Sequence, residues 1–354
     1  MKSMQILEWG KPLEMRHSET PVPEGKQILV AVEYCGVCHS DLHIREGFFD
    51  LGNGVKFPIS ARGVHPPFTM GHEPVGCVVA VGPEANPDLL GRSFVIYPWI
   101  NCEDCEPCQN SLPQICDAPK IIGTRVDGAY ADHVIVPDEK FLVEYGDINP
   151  ALACTLACSG LTVFSALKKI MPQDLNRQDT ILIIGAGGLG LSAVMLAKSL
   201  SKARIVIADI DEAKLDAAMD LGADESILSS SKNASTQIKE FAASGNGLAA
   251  SLDFVGLPQT MQLGLDSLRK GGVHVHVGLF GGAFQLSLPP LSFRMLQIRG
   301  SYVGTLEEFR ELVSLVRNGL RIELPVEIRL LAEANAALND LQEGEIVGRV
   351  VLKP

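Results

Sequence analysis

Between residues 27 and 137 the apolar positions come in short β-rich runs: QILVAVEYC (27–35), CVVAVG (77–82), FVIYPW (94–99) and YADHVIVP (130–137), divided by Gly, Pro and Asp. This spacing predicts an antiparallel β domain. Past residue 150 the texture changes to strand and helix in turn: TILIIG (180–185), LGLSAVMLAKSL (189–200), RIVIAD (204–209) and DEAKLDAAMDLG (211–222). The alternation continues through LAASLDFVG (248–256), TMQLGLDSLRKGG (260–272) and VHVHVG (273–278). It predicts an α/β unit built on a parallel sheet. Near residue 298 the pattern breaks into RGSYVGT, a helix over TLEEFRELVSLVRNG (305–319) and a closing strand in VGRVVL (347–352). That tail has no fold of its own and is expected to pack back onto the first domain. The expected organisation is a first domain over 1–154, a second over 155–298, and a return to the first over 299–354.

A length of 354 residues agrees with two domains at about 150 residues each. Apolar residues at 46% and charged residues at 20%, without low-complexity tracts, exclude disordered, collagenous and coiled-coil classes. The net charge of −12 opposes phosphate backbones and anionic membranes, so neither nucleic acid nor membrane is an expected partner. The first residues, MKSMQILEWGKPLEM, interrupt any signal-like apolar core with charges and a proline, and no run of 18 apolar residues occurs. Nine cysteines, an odd count, argue against a secreted disulfide framework. The expectation is a soluble cytoplasmic protein whose reduced thiols serve metals or catalysis.

Gly185, Gly187 and Gly190 form a G-x-G-x-x-G loop, with Gly188 inside it, directly after an apolar strand and opening an apolar helix. In that context the first glycine permits a tight turn, the second lets backbone approach a pyrophosphate, and the third lets helix pack on strand. Asp209 ends the next strand, where a carboxylate accepts hydrogen bonds from an adenosine ribose. It would repel a 2′-phosphate and no arginine stands beside it, which favours NAD over NADP. The rival reading is that the glycines serve only the turn and Asp209 caps the following helix.

The run NCEDCEPCQNSLPQIC sets Cys102, Cys105, Cys108 and Cys116 as C-x₂-C-x₂-C-x₇-C. Four thiolates around one ion describe a closed, structural zinc site. A nucleic-acid-binding ribbon is disfavoured by the neighbouring Glu103, Asp104, Glu106 and Asp117. An iron–sulfur cluster is not excluded by spacing. Elsewhere CGVCHSDLH (35–43), MGHEPVG (70–76) and LACSGLTVFSAL (156–167) offer Cys38, His72 and Cys158 as ligands for a second ion if the two domains share a cleft. Taken singly, Cys158 reads as a buried thiol and His72 as a loop histidine, whereas Cys38 sits in a polar cluster.

These motifs, in this order and with the closing G-R-V-V-L, resemble the zinc-dependent medium-chain alcohol dehydrogenases over essentially the whole chain. The resemblance implies a GroES-like β catalytic domain beside a Rossmann doubly wound sheet, NAD and two zinc ions per chain as cofactors, and a small alcohol or aldehyde as substrate. It implies a homo-oligomer, dimer or tetramer. It assigns Cys38, His72 and Cys158 to the catalytic zinc, with Glu73 behind it as an occasional ligand, and Asp41 to orienting the histidine. Ser40 would receive the substrate proton and His43 would be the outer base of that relay. His39 and Arg349 fall where the family contacts the pyrophosphate, Thr162 where it contacts the nicotinamide, and Asp209 with Lys214 where it holds the ribose. Alternatives are a cofactor-binding zinc protein without turnover, and a polyol or formaldehyde dehydrogenase of the same family.

The stretch FFDLGNGVKFPISARGVHPPFTM lengthens a loop that borders the family's pocket. In this the chain resembles the branch acting on ω-hydroxy acids such as 6-hydroxyhexanoate, and medium-chain or cyclic alcohols are the other expected substrates. Arg62 or Arg45 would then meet a carboxylate, against the reading that both are solvated loop charges. Trp99 and Phe48 or Phe49 are candidate pocket walls. His65, His133, His274 and His276 receive no role, and Cys35, Cys77 and Cys154 are expected to be buried thiols.

Overall fold

The computed structural model describes residues 1–171, 175–231, 233–241 and 247–354. The early β-rich runs build one sheet, in the order Leu142–Val143, Ser93–Ile96, Pro74–Val81, Ile28–Gly36, Arg349–Lys353 and Val326–Leu330, with His133–Val136 also paired to Ile28–Gly36. The last strand runs antiparallel to Ile28–Gly36, with Val351 opposite Gly36 and Leu352 opposite Cys35. The tail therefore returns to the first sheet and completes it. The long stretch after the first ligand motif folds as a small hairpin, Phe48–Asp50 against Lys56–Pro58, followed by a 3₁₀ turn over Ile59–Arg62.

The second sheet is parallel throughout. Its six strands lie in the order Glu225–Leu228, Arg204–Asp209, Thr180–Ile184, Leu248–Asp253, Leu268–His276 and Gln297–Gly300. Strand order reverses at Thr180–Ile184, so a crevice opens beyond its carboxyl end, where doubly wound sheets bind nucleotides. Helices cover both faces, which is why TILII is apolar at every position and fully buried. The chain leaves this sheet only after Gly300.

The helix Pro150–Lys168 joins the two units and is long and apolar enough to cross a membrane, yet it is enclosed by the rest of the chain. Asn149 starts it by accepting the Ala151 N–H at 2.9 Å, with Pro150 in the first turn. Its middle, Leu156–Gly160, is a single wide π-helical turn. Such turns push one residue out of helical register and recur at functional sites; Cys158 is on this one.

Candidate active site

Cys38 caps the helix His39–Glu46. Asp41 reaches back so that its Oδ2 accepts the Cys38 N–H at 2.9 Å, the reciprocal bond expected of a carboxylate in a helix's first turn. The same oxygen accepts the Tyr130 hydroxyl at 2.9 Å, while Oδ1 lies 3.2 Å from His72 Nδ1. Asp41, His72 and Tyr130 are all removed from solvent. With Nδ1 turned to a carboxylate, His72 presents Nε2 to the other side, where it is buried and has no hydrogen-bond partner.

The sulfurs of Cys38 and Cys158 lie 3.9 Å apart across that position. Two thiolates at about 2.3 Å from a tetrahedral zinc would be separated by about 3.8 Å, so the pair is already at ligand spacing. The Cys38 thiol is held well below its ordinary value by the hydrogen bond with Cys158, against the effect of burial, and His72 adds to it. Glu73 completes the group, its ligand atom within 4.8 Å of those of Cys38, His72 and Cys158. One of its oxygens receives the Arg349 guanidinium and the other, Oε1, is buried without a partner.

The glycine loop lies beside this cluster. Gly185 has φ +94°, the left-handed region that favours glycine, and a Cβ on Gly190 would stand 1.7 Å from the Gly185 carbonyl oxygen. Gly187 has nothing within 4 Å of its would-be Cβ, leaving an open cradle at the start of the helix Gly188–Leu200. Asp209 is tied to that loop: Oδ2 accepts the Ala186 N–H at 2.5 Å, and Oδ1 accepts those of Ile210 and Asp211. Lys214 is set against Asp211 at 3.7 Å. Arg349 is buried rather than open to the cradle; it donates to Glu73 and, at 2.9 Å, to the Val37 carbonyl, while its stem abuts Gly188. His39 stacks on Phe280 with centroids 4.2 Å apart, joining the first helix to the loop after Leu268–His276.

A cavity of about 880 Å³ opens between the two units, with Cys38, Ser40, His43, Cys158 and Thr162 on its walls. Its lining is largely apolar, with Phe49, Phe57, Trp99 and Tyr302 among its aromatic walls. Strand alternation selects Phe49 and not Phe48, whose ring carries the Lys56 ammonium at 3.7 Å. Trp99 is fixed by its Nε1 donating to the Ala157 carbonyl at 2.9 Å and meets His72 edge-on. Arg62 lies on the cavity wall over Phe49, and among the described residues no carboxylate pairs with its side chain. Arg45 corrects both sequence expectations for it. Its buried guanidinium bonds Asn339 at 2.9 Å and Gln342 at 2.6 Å, fastening the first helix to Ala334–Glu343, away from the cavity.

Cys102, Cys105, Cys108 and Cys116 gather in a separate lobe with ligand atoms within 4.8 Å of one another. Backbone N–H groups point at the sulfurs: Cys105 N–H to Cys102 at 3.4 Å and Cys102 N–H to Cys116 at 3.3 Å. Those donors stabilise thiolate, and the amides of Cys105 and Asp104 pull the Cys102 thiol down to about 6. All nine cysteines are unpaired, and Cys35 and Cys154 are buried whereas Cys77 is half-buried.

Tyr130 is the functional neighbour that sequence reasoning missed. It lies in a run read only as a strand, and its partner Asp41 is 89 residues away.

Residues 24–147 match the family described as "Alcohol dehydrogenase GroES-like domain", and residues 188–318 match "Zinc-binding dehydrogenase". An NAD-dependent alcohol dehydrogenase of Sulfurisphaera tokodaii is 35% identical over 355 residues, covering 100% of both chains. Another from Saccharolobus solfataricus is 35% identical with the same coverage. Among solved structures, the alcohol dehydrogenase of Aeropyrum pernix matches with a TM-score of 0.89 at 28% identity over 100% of both chains. The acetophenone reductase of Geotrichum candidum, solved with NAD, matches at 0.85 and 27% identity, over 100% of this chain and 97% of that one.

Proposed function

The chain belongs to the zinc-dependent medium-chain alcohol dehydrogenases, and we propose that it interconverts alcohols of medium-sized, apolar body with their aldehydes or ketones at the cavity floored by Cys38, His72 and Cys158. It is an NAD-dependent enzyme, with NAD and zinc as cofactors. The observation that carries the proposed site is the buried, partnerless Nε2 of His72 facing two sulfurs 3.9 Å apart on a cavity wall. Two thiolates and an imidazole suit zinc, and an ion there accounts for the orphaned Nε2.

When bound, zinc supplies Lewis-acid polarisation of the alcohol hydroxyl and the nicotinamide supplies the hydride acceptor. The chain's own residues do the rest. Asp41 and Tyr130 fix the orientation of His72. Ser40 would take the hydroxyl proton while passing on its own, by way of the cofactor's ribose, to His43. Burial keeps the His43 imidazole below its ordinary value, hence neutral and able to accept at neutral pH. The Gly187 cradle receives the pyrophosphate, Thr162 borders the nicotinamide and Asp209 the ribose. His39 and Arg349 border the pyrophosphate as the resemblance implies: the Arg349 stem lies against Gly188 of the glycine loop, and His39 stacks on Phe280. The four-cysteine lobe carries a second, structural zinc.

The apolar lining favours medium-chain or cyclic alcohols over polyols, and the unpaired Arg62 favours ω-hydroxy acids among them. Unpaired thiols support a soluble cytoplasmic enzyme. The open edge of Gln297–Gly300, beside Phe293 at 69% exposure and Met295 at 76%, supports a homo-oligomer assembled through the cofactor sheet. A screen of NADH formation over primary, cyclic, polyol and ω-hydroxy-acid alcohols tests the substrate reading. It predicts kcat/KM highest for apolar or ω-hydroxy-acid substrates, with R62A selectively losing the latter. A polyol as best substrate would overturn it.

A further inference from the structure

Two histidines without a sequence-assigned role, His274 and His276, stand on the same face of strand Leu268–His276, next to Asp253 at the end of the neighbouring strand. Their ligand atoms and a carboxylate oxygen of Asp253 lie within 4.8 Å of one another. His274 is wholly buried. Ser251 Oγ lies 3.2 Å from the Gly264 carbonyl, to which it donates, and 2.9 Å from His274 Nδ1. With its proton committed to Gly264, the hydroxyl accepts Nδ1–H. The tautomer this selects leaves a lone pair on His274 Nε2, which is buried and has no partner. Gly264 is what admits the ring, since a Cβ there would stand 2.5 Å from Nδ1.

His276 shows the same deficit: Nδ1 is buried and partnerless, 3.7 Å from Asp253 Oδ2. Asp253 is itself oriented by Val255 N–H and Gly256 N–H on Oδ1 and by the Thr260 hydroxyl on Oδ2. An imidazole with its outer nitrogen held by Ser251, a second imidazole with a buried nitrogen left without a partner, and a carboxylate anchored by backbone amides and a hydroxyl are how a protein presents a metal site. Donors around a tetrahedral ion at about 2.0–2.1 Å lie about 3.4 Å apart, so a bound ion need only draw this group inward.

We infer that Asp253, His274 and His276 form a further metal site for a borderline divalent ion such as zinc, cobalt or nickel, with its open coordination position towards the cavity that His276 lines. The site contains no sulfur, which separates it from both cysteine groups. Burial and His276 pull the His274 imidazole down to about 4, keeping it neutral and available as a ligand.

Purified zinc-loaded protein is equilibrated with cobalt, freed of excess, and assayed for both metals by mass spectrometry and for cobalt by absorption. Expected are zinc unchanged, one added cobalt per chain, and d–d bands without thiolate-to-cobalt charge transfer. In H276N, checked for folding by circular dichroism, the added equivalent should fall at least tenfold. The wild-type spectrum stands alone if that variant does not fold. No cobalt beyond displaced zinc, a thiolate band on the added ion, or full retention by a folded H276N would overturn the inference.

Discussion

Tyr130→Phe removes one oxygen from a fully buried ring and leaves its packing intact, so its effect reports the hydroxyl alone. That hydroxyl donates to Asp41 Oδ2 at 2.9 Å, and the carboxylate keeps its bond from Cys38 N–H and its contact with His72 Nδ1. Losing a bond to a charged acceptor costs about 1.5–3 kcal/mol, or roughly 10–150-fold in an equilibrium. Part of that falls on folding and part on the carboxylate's hold over His72, and changes to such outer partners typically weaken metal affinity about 10–100-fold. The variant should therefore release the zinc of Cys38, His72 and Cys158 at about tenfold lower competing chelator. Turnover should fall in parallel, while NADH affinity and the four-cysteine zinc are unchanged. Titration with a chromophoric chelator, beside thermal unfolding, measures both parts. A Y130F protein that unfolds more easily yet releases this zinc as the wild type does would refute the reasoning, leaving Tyr130 only a packing residue.

Asp209→Ala removes both the carboxylate proposed to hold the ribose and the acceptor of Ala186 N–H, so kcat/KM for NAD should drop at least tenfold while the preference over NADP shrinks; an undiminished NAD preference in steady-state kinetics would contradict the assignment. Cys105→Ser should lower Tm by several degrees and lose one zinc without affecting Cys38, His72 and Cys158; loss of both ions would mean the lobe and the cavity are not independent. Asp224 is half-buried, which raises its pKa, but the Lys198 ammonium at 2.9 Å and the Ile205 N–H outweigh this and hold it below its ordinary value. Its stabilising contribution is present above that ordinary value and lost as pH falls through the lower folded one. Asp224→Asn should therefore cost at most about 1 kcal/mol at pH 7, as for other solvent-screened pairs, and progressively less below pH 4 in urea titrations; a pH-independent cost would contradict the ion pairing.

The strands were legible wherever the apolar pattern was local. QILVAVEYC and TILIIG correspond to Ile28–Gly36 and Thr180–Ile184, because a strand inside a sheet writes its burial into consecutive residues. The metal-ligating types were legible from composition at a few positions, and the structure brings Cys38, His72, Glu73 and Cys158 together. What stayed hidden depends on partners distant in the chain. Nothing near Tyr130 announces Asp41, and Arg45 finds Asn339 across 294 residues. The π-helical turn that carries Cys158 has no signature in LACSG, since it packs against the helices Gly188–Leu200 and Leu306–Arg317, distant in the chain. The Ser251 link that sets the His274 tautomer is likewise made across strands, so VHVHVG reads only as a buried strand.

Removing the imidazole in His72→Ala separates the roles of metal and cofactor, with zinc content, NADH fluorescence and alcohol turnover read on one preparation. The account predicts loss of one zinc, NADH still bound at the glycine loop, and turnover reduced by at least a thousandfold, on the order expected when a metal's Lewis-acid contribution is removed. A folded variant that loses its zinc and still oxidises alcohols at the wild-type rate would contradict it.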